Sequence, residues 1–377
     1  MKEPQFTIGV EEEYLLVDQT TRDLASEPPD EIMEKCEETL GNQVGPEFLK
    51  AQVEIGTRIC TNINEVREQI RYLRSTVAEI ANQYGISPIA SSTHPFALWS
   101  LQPHTNKGRY NELAENLQHV ARRLIISGMH VHVGIEDDEL RIDILNQAQY
   151  FLPHLLALST SSPFWQGQNT GLKSYRLSIF DEIPRTGLPS MFTSHSEYQR
   201  TISVLVEAGV IEDATKVWWD LRPSHRFPTL EMRISDLCTL YEDGICIAAL
   251  YLCICRMLYR LRIQNQRWRT YPIFLLGENR WRAQRHGVKE GMIDFGKGEI
   301  IPFRELIEEL MEILAEDADF FNCTAEINHA LTIIDRGTSA DRQITKFNQL
   351  MAEGLSQGDA LRGVVDMLIE ETLVGCG

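Results

Sequence analysis

Three short stretches of this chain carry residue types at spacings that could support metal-assisted chemistry. Gly9-Val10-Glu11-Glu12-Glu13-Tyr14-Leu15-Leu16 spends three consecutive positions on carboxylates, which repel one another unless solvent or a cation compensates. In an extended strand side chains alternate faces, so Glu11 and Glu13 share a side with Gly9, while Glu12 joins Ile8, Val10, Tyr14 and Leu16 on the apolar side. Two carboxylates aimed into one space suit a divalent cation; a solvated face on an edge strand would explain the same triplet without chemistry. Ser127-Gly128-Met129-His130-Val131-His132-Val133-Gly134-Ile135 puts His130 and His132 on one side. Such a pair is a common metal arrangement, although one of its members is often a hydrogen-bonded structural residue. Thr229-Leu230-Glu231-Met232-Arg233-Ile234-Ser235-Asp236 sets Glu231 and Arg233 against Leu230, Met232 and Ile234, with Asp220 and Arg222 of a preceding strand beside them.

Residues 49–58 repeat the division, with Leu49, Ala51, Val53 and Ile55 on one side and Glu54 among polar residues on the other. Four strands with one aliphatic and one charged face predict an α+β fold, an antiparallel β-sheet with one face covered by helices. Its free face would gather Glu11, Glu13, Glu54, His130, His132, Glu231 and Arg233 into a polar cleft. Helices are expected over residues 64–84, capped by Asn62, and over 109–126, 138–159 and 241–263. Further helices are expected over 303–317, 340–351 and 359–372, so that the part beyond about residue 300 is mostly helical. No internal repeat or long linker divides the chain, and residues 1–377 read as one catalytic domain.

So acidic a face needs cations. Its donors are mostly oxygen and include no thiolate, which favours Mg²⁺ or Mn²⁺ over zinc. Arginine among the carboxylates adds an anionic substrate group, and the inventory becomes that of a phosphoryl-transfer site. Neither a P-loop nor a dinucleotide fingerprint is present. Lys173, Arg176 and Arg185, in a polar stretch over residues 161–190, are available for phosphates or carboxylates, or are ordinary surface cations. Gly337-Thr338-Ser339-Ala340-Asp341-Arg342 either cradles phosphate or begins a helix with Ser339 as its cap.

With 54 acidic against 36 basic residues the net charge is −18, which argues against sequence-independent nucleic-acid binding and attachment to an anionic membrane. The N-terminus shows no basic-then-apolar leader, and the longest apolar run, residues 245–255, is short for a membrane span. A cytoplasmic protein is expected. Eight scattered cysteines read as buried free thiols.

The motifs quoted above, with Trp219-Asp220-Leu221-Arg222, Ser339-Ala340-Asp341-Arg342-Gln343, Ser162-Pro163-Phe164-Trp165-Gln166-Gly167 and Arg185-Thr186-Gly187-Leu188-Pro189, resemble the glutamate-cysteine ligase type 2, or carboxylate-amine ligase, family over about residues 6–350. The resemblance implies a glutamine-synthetase-like fold whose antiparallel sheet forms an open polar funnel. It further implies ATP-dependent joining of a glutamate-like carboxylate to an amine such as cysteine, with Mg²⁺ or Mn²⁺. By position in the motifs, Glu11, Glu13, Glu54, His130 and Glu231 would serve the metal and phosphate site. Arg233 would meet the transferred phosphate or the substrate carboxylate, making Glu231 and Arg233 the catalytic pair. Lys173, Arg176 and Arg342, with Arg233, are the candidates for contacting ATP. Glu12 drops out of the site. The rivals are a metal-dependent hydrolase using the same cleft, which needs no nucleotide, and a non-catalytic nucleotide or amino-acid binding protein. The apolar helices allow a homodimer.

Overall fold

The computed structural model describes residues 2–106, 108 and 125–376. Its centre is strand β1 (Ile8–Asp18), whose alternation places Ile8, Val10, Tyr14 and Leu16 in the core and Glu11 and Glu13 on the opposite face. Around it the chain adds β2 (Val44–Pro46), β3 (Gln52–Gly56), β4 (Ile86–Ile89) and β5 (Met129–Gly134). Two two-residue strands, β6 (Phe164–Trp165) and β7 (Gln168–Asn169), pair only with each other, whereas β8 (Leu221–Pro223) and β9 (Thr229–Met232) return to the main sheet. The order is β2-β3-β1-β5-β9-β8, all antiparallel, with β4 beside the C-terminal half of β1. The predicted antiparallel sheet and α+β class therefore describe the molecule.

Register sets the site. Glu13 pairs with Glu54, Glu11 with His130, His132 with Glu231 and Arg222 with Glu231, so the polar residues of five strands stand side by side. Helices cover the other face. α1 (Asp30–Leu40) and α2 (Ile63–Asn82) come first, α2 being capped by Asn62, whose side chain accepts from Glu65 N at 3.0 Å. The helix expected over 109–126 falls almost entirely outside the described residues. The one expected over 138–159 is two, α3 (Asp138–Ala148) and α4 (Leu152–Ser159), separated by a 3₁₀ turn where Pro153 cannot donate to the preceding turn.

α5 (Arg176–Phe180) and α6 (His195–Glu207) lead to α7 (Tyr241–Ile263), which is long and apolar enough to cross a membrane by length and composition but here is packed against the sheet and its neighbouring helices. α8 (Ile273–His286), the hairpin β10 (Met292–Asp294) and β11 (Glu299–Ile301), and α9 (Phe303–Phe321), α10 (Thr324–Arg336), α11 (Ser339–Ala352) and α12 (Gln357–Thr372) complete the chain. The cap of α11 is Thr338 rather than Ser339: Thr338 and Asp341 cap each other's backbone, and the Ser339 hydroxyl meets Thr239 Oγ1 at 2.6 Å instead.

Glu12 is buried on the helix side. Both its oxygens lie 2.8 Å from Arg74 of α2, and Tyr14 donates its hydroxyl to the same carboxylate. The Arg74 guanidinium also donates to the carbonyls of Cys238, Thr239 and Thr372. One buried side chain thus ties the central strand to the start of α7 and the end of α12. All eight cysteines are free and buried, with the Cys253 and Cys323 sulfurs 3.6 Å apart.

Candidate active site

The open face carries two sets of converging donors. In the first, oxygens of Glu11 and Glu231 and a ring nitrogen of His132 lie within 4.8 Å of one another. In the second, oxygens of Glu13, Glu47 and Glu54 do the same. Three of these residues come from β1 and β3, His132 from β5 and Glu231 from β9, while Glu47 stands just beyond β2 on the turn towards β3.

Electrostatics separate the two sets. Burial would push the Glu11 carboxyl up, but His130 and His132 outweigh it and hold it well below the ordinary range. The Glu231 carboxyl is depressed too, because Arg233 and Arg222 override its burial. Arg222 grips Glu231 through Nε at 2.9 Å and Nη2 at 3.1 Å, and Arg233 Nη1 donates to the same carboxylate. At the second set burial dominates. It raises Glu13 to about 7, aided by the charge of Glu47, and raises Glu54 well above its ordinary value, aided by Glu11, Glu47 and Glu13. Carboxylates crowded this way are short of positive charge.

The donor chemistry fits cations. His132 Nδ1 lies 3.0 Å from Thr229 Oγ1, which fixes the ring, and its Nε2 is buried without a hydrogen-bond partner, 3.5 Å from Glu11. With five carboxylates against one imidazole, the sets suit a hard divalent ion. His130, preferred over His132 in the sequence, enters neither set. Its Nδ1 is 3.2 Å from Glu11 and 3.4 Å from Arg233 Nη1, and burial and the Arg233 charge bring it down to about 4.

The candidate cations divide as well. Arg233 and Arg176 are in the site. Arg176 is fully buried yet within ion-pair distance of no described carboxylate; it reaches only the carbonyls of Arg233 and Ile234, stacks over Phe180, and leaves Nε without a partner. Lys173 and Arg342 are not brought to the funnel: Lys173 is 2.8 Å from Asp341, and Arg342 is held by Glu371 at 2.8 Å and by the Gly337 carbonyl. Asp341 is occupied with capping α11, which draws Lys173 that way. Glu47 is not singled out by the sequence because it lies outside any alternating segment; Arg222, which the sequence sets beside Glu231 without a role, gains one from its pairing with Glu231. Over the face, a cavity of about 700 Å³ reaches Glu11, Glu54 and His132.

Three comparisons bear on this arrangement. The model of a family described as glutamate-cysteine ligase family 2 (GCS2) matches residues 7–362. A protein of Rhodospirillum rubrum named "Putative glutamate--cysteine ligase 2" is 56% identical over 381 residues, covering 100% of this chain and 98% of that one; one of the same name from Jannaschia sp. is 53% identical over 97% of this chain and 96% of its own. Among solved structures, a glutamate–cysteine ligase of Francisella tularensis in complex with AMP superposes with a TM-score of 0.67 at 12% identity, covering 99% of this chain and 90% of that one. A bifunctional glutathione synthetase of Pasteurella multocida gives 0.68 at 15% identity, covering 99% and 53%. These two establish the shared fold.

Proposed function

Because this chain belongs to glutamate-cysteine ligase family 2, we propose that it is an ATP-dependent carboxylate–amine ligase acting on glutamate or a similar acid and on cysteine or another amino compound. The observation that carries the reading is the pair of three-donor sets, Glu11–His132–Glu231 and Glu13–Glu47–Glu54, on one open sheet face with Arg233 and the buried Arg176 beside them. Amide formation from a carboxylate needs an activated acyl group, and transfer of the γ-phosphoryl of ATP to the acid supplies it.

Magnesium or manganese held by these two sets would offset the negative charge of the polyphosphate. The chain's own residues do the rest. Arg222 and Arg233 keep Glu231 ionised and oriented. Arg176, buried and without a carboxylate partner among the described residues, presents its guanidinium to the anion that forms when the acid oxygen attacks the γ-phosphorus. ADP leaves. The amine nitrogen then attacks the acyl carbon, phosphate departs with the bonding pair, and the amide remains after loss of a proton from nitrogen.

ADP release, followed over a matrix of carboxylic acids and amines with Mg²⁺ or Mn²⁺, is expected to require both an acid and an amine; release indifferent to either omission counts against the ligase. Glu11→Gln and Glu231→Gln should each lower turnover by at least about 100-fold with circular dichroism unchanged, and near-normal rates in both would remove the site from these residues.

A further inference from the structure

Another cavity, of about 280 Å³, lies in the helical layer, and no residue of the main sheet lines it. Its walls come from the 3₁₀ turn between α3 and α4, from α4, from residues 267–271 between α7 and α8, from β10 and from α9. These elements bring aromatic rings to one opening. The Tyr150 ring packs against Trp268 and Tyr271, with centroids 5.5 and 5.8 Å away, and Trp268 lies 4.9 Å from Phe151. The backbone N–H of Trp268 donates to Gln147 Oε1 at 2.6 Å, which fixes the wall that its ring forms. Tyr150, Trp268 and Tyr271 each keep part of their surface open, while the buried Leu306 and Leu310 of α9 line the cavity too.

Charges of both signs stand around these rings. Glu309 of α9 and Arg269 are exposed, and neither lies within ion-pair distance of an opposite charge among the described residues. Arg269 instead places its guanidinium 5.1 Å from the centre of the Tyr271 ring. Asp294 of β10, 3.6 Å from Lys297, adds a second carboxylate. Burial, helped by the charges of Asp294 and Glu309 and by Tyr271, pushes the Tyr150 hydroxyl up to about 12, so both acids lie near that hydroxyl. Arg267 also lines the cavity, but its Nη2 is 3.5 Å from Asp143. His154 is buried in the wall with Nδ1 lacking a hydrogen bond. An organic cation entering here would meet Arg269, and an organic anion would meet Glu309 and Asp294. A small molecule that carries both charges finds a partner for each, and the volume is at the small end for ligand sites.

We propose that this cavity is a binding site for a free α-amino acid with an aromatic side chain, separate from the open face of the main sheet. The ammonium group lies at Glu309 and Asp294, beside the Tyr150 hydroxyl, where it gains charge-assisted hydrogen bonds. The carboxylate meets Arg269, whose planar guanidinium suits it. The side-chain ring packs against Trp268 and Leu310, in the offset or edge-on arrangements that aromatic rings prefer.

Calorimetric titration of L-phenylalanine, phenylethylamine and phenylpropionate into the wild type, Trp268→Ala, Arg269→Gln and Glu309→Gln tests this. The wild type is expected to bind phenylalanine saturably and at least about fivefold more tightly than either analogue, each of which lacks one of its charges. Trp268→Ala should weaken phenylalanine at least about tenfold. Arg269→Gln should weaken phenylalanine and phenylpropionate about fivefold and hold phenylethylamine within about twofold; Glu309→Gln should weaken phenylalanine and phenylethylamine about fivefold and hold phenylpropionate within about twofold. Thermal midpoints near the wild-type value verify folding, and the two charge variants, at exposed positions, keep the test decisive should Trp268→Ala fail to fold. Absence of saturable phenylalanine binding in the wild type overturns the site. Wild-type affinity in every folded variant puts the amino acid elsewhere on the chain, the open face included, and overturns it as well. Equal losses for all three compounds in the charge variants overturn the placement of the two charges. Binding here requires no turnover, so each of these results leaves the ligase reading standing.

Discussion

At the scale of single residues, Gly128 shows how a side chain's absence can be functional. A Cβ there would sit 2.5 Å from Arg176 Nη2 and 3.2 Å from His130 Nε2, so the glycine makes the corridor through which Arg176 reaches the face. Its own N–H donates to Glu13 Oε2 at 2.7 Å. Gly128→Ala is therefore expected to displace the guanidinium and lower ligase turnover by about 100-fold with little change in the unfolding midpoint; unaltered turnover would show that Arg176 does not serve the reaction. Strand parity made Glu11, Glu13, Glu54 and Glu231 legible, since alternation alone decides which face a residue takes. Parity does not separate His130 from His132; the motif resemblance favours His130, whereas the pairing of His132 with Glu231 on β9 brings the His132 ring to the Glu11 and Glu231 oxygens. Nor could it predict partners for Lys173 or Arg342, whose long side chains reached acids in helices far along the sequence.

At the scale of elements, the strands and most helices followed from their hydrophobic periods, and the failures have local causes. β4 is buried at all four positions and contains Pro88, so it lacks both alternation and a strand-like composition. The apolar period of residues 138–159 runs unbroken through the break at Pro153, because burial on all sides hides the turn. That second piece, α4, carries a pH-sensitive group. His154 is buried among Tyr150, Phe151 and Phe303 with Nδ1 lacking a hydrogen bond, and burial brings it from 6.5 down to about 4. The sign follows from the depressed value: the unfolded chain takes up the proton first, so stability is full above pH 6.5 and is lost as pH falls from 6.5 to about 4. The loss attributable to this group is about 3 kcal/mol. In His154→Gln, denaturant melts at pH 6.5 and 4 should differ by about 3 kcal/mol less than in the wild type; an undiminished difference would place the acid sensitivity elsewhere.

At the scale of the whole molecule, the site is held by helices on the far side of the sheet. The face concentrates Glu11, Glu13, Glu47, Glu54 and Glu231 in a chain of net charge −18, and bound cations should stabilise it as any ligand selective for the native state does. Magnesium at a hundredfold excess over its dissociation constant is worth about 3 kcal/mol, or about 3 °C in a chain of this length. Thermal unfolding in excess magnesium should therefore exceed that in chelator by this margin, and Glu54→Gln should shrink it; identical midpoints in the wild type would argue against cations at this face. Arg74 has a consequence for how the protein comes into being. The strand bearing Glu11 and Glu13 is made early, but the arginine beneath it also holds the Thr372 carbonyl, and Thr372 Oγ1 accepts from Ala90 N at 2.9 Å. During synthesis β1 must wait, its clamp half-made, for residue 372 to clear the ribosome. A nascent chain arrested with α12 still in the exit tunnel should leave residues 8–18 open to protease, and release should close them; protection already present at that arrest point would mean that the strand sets without its final helix.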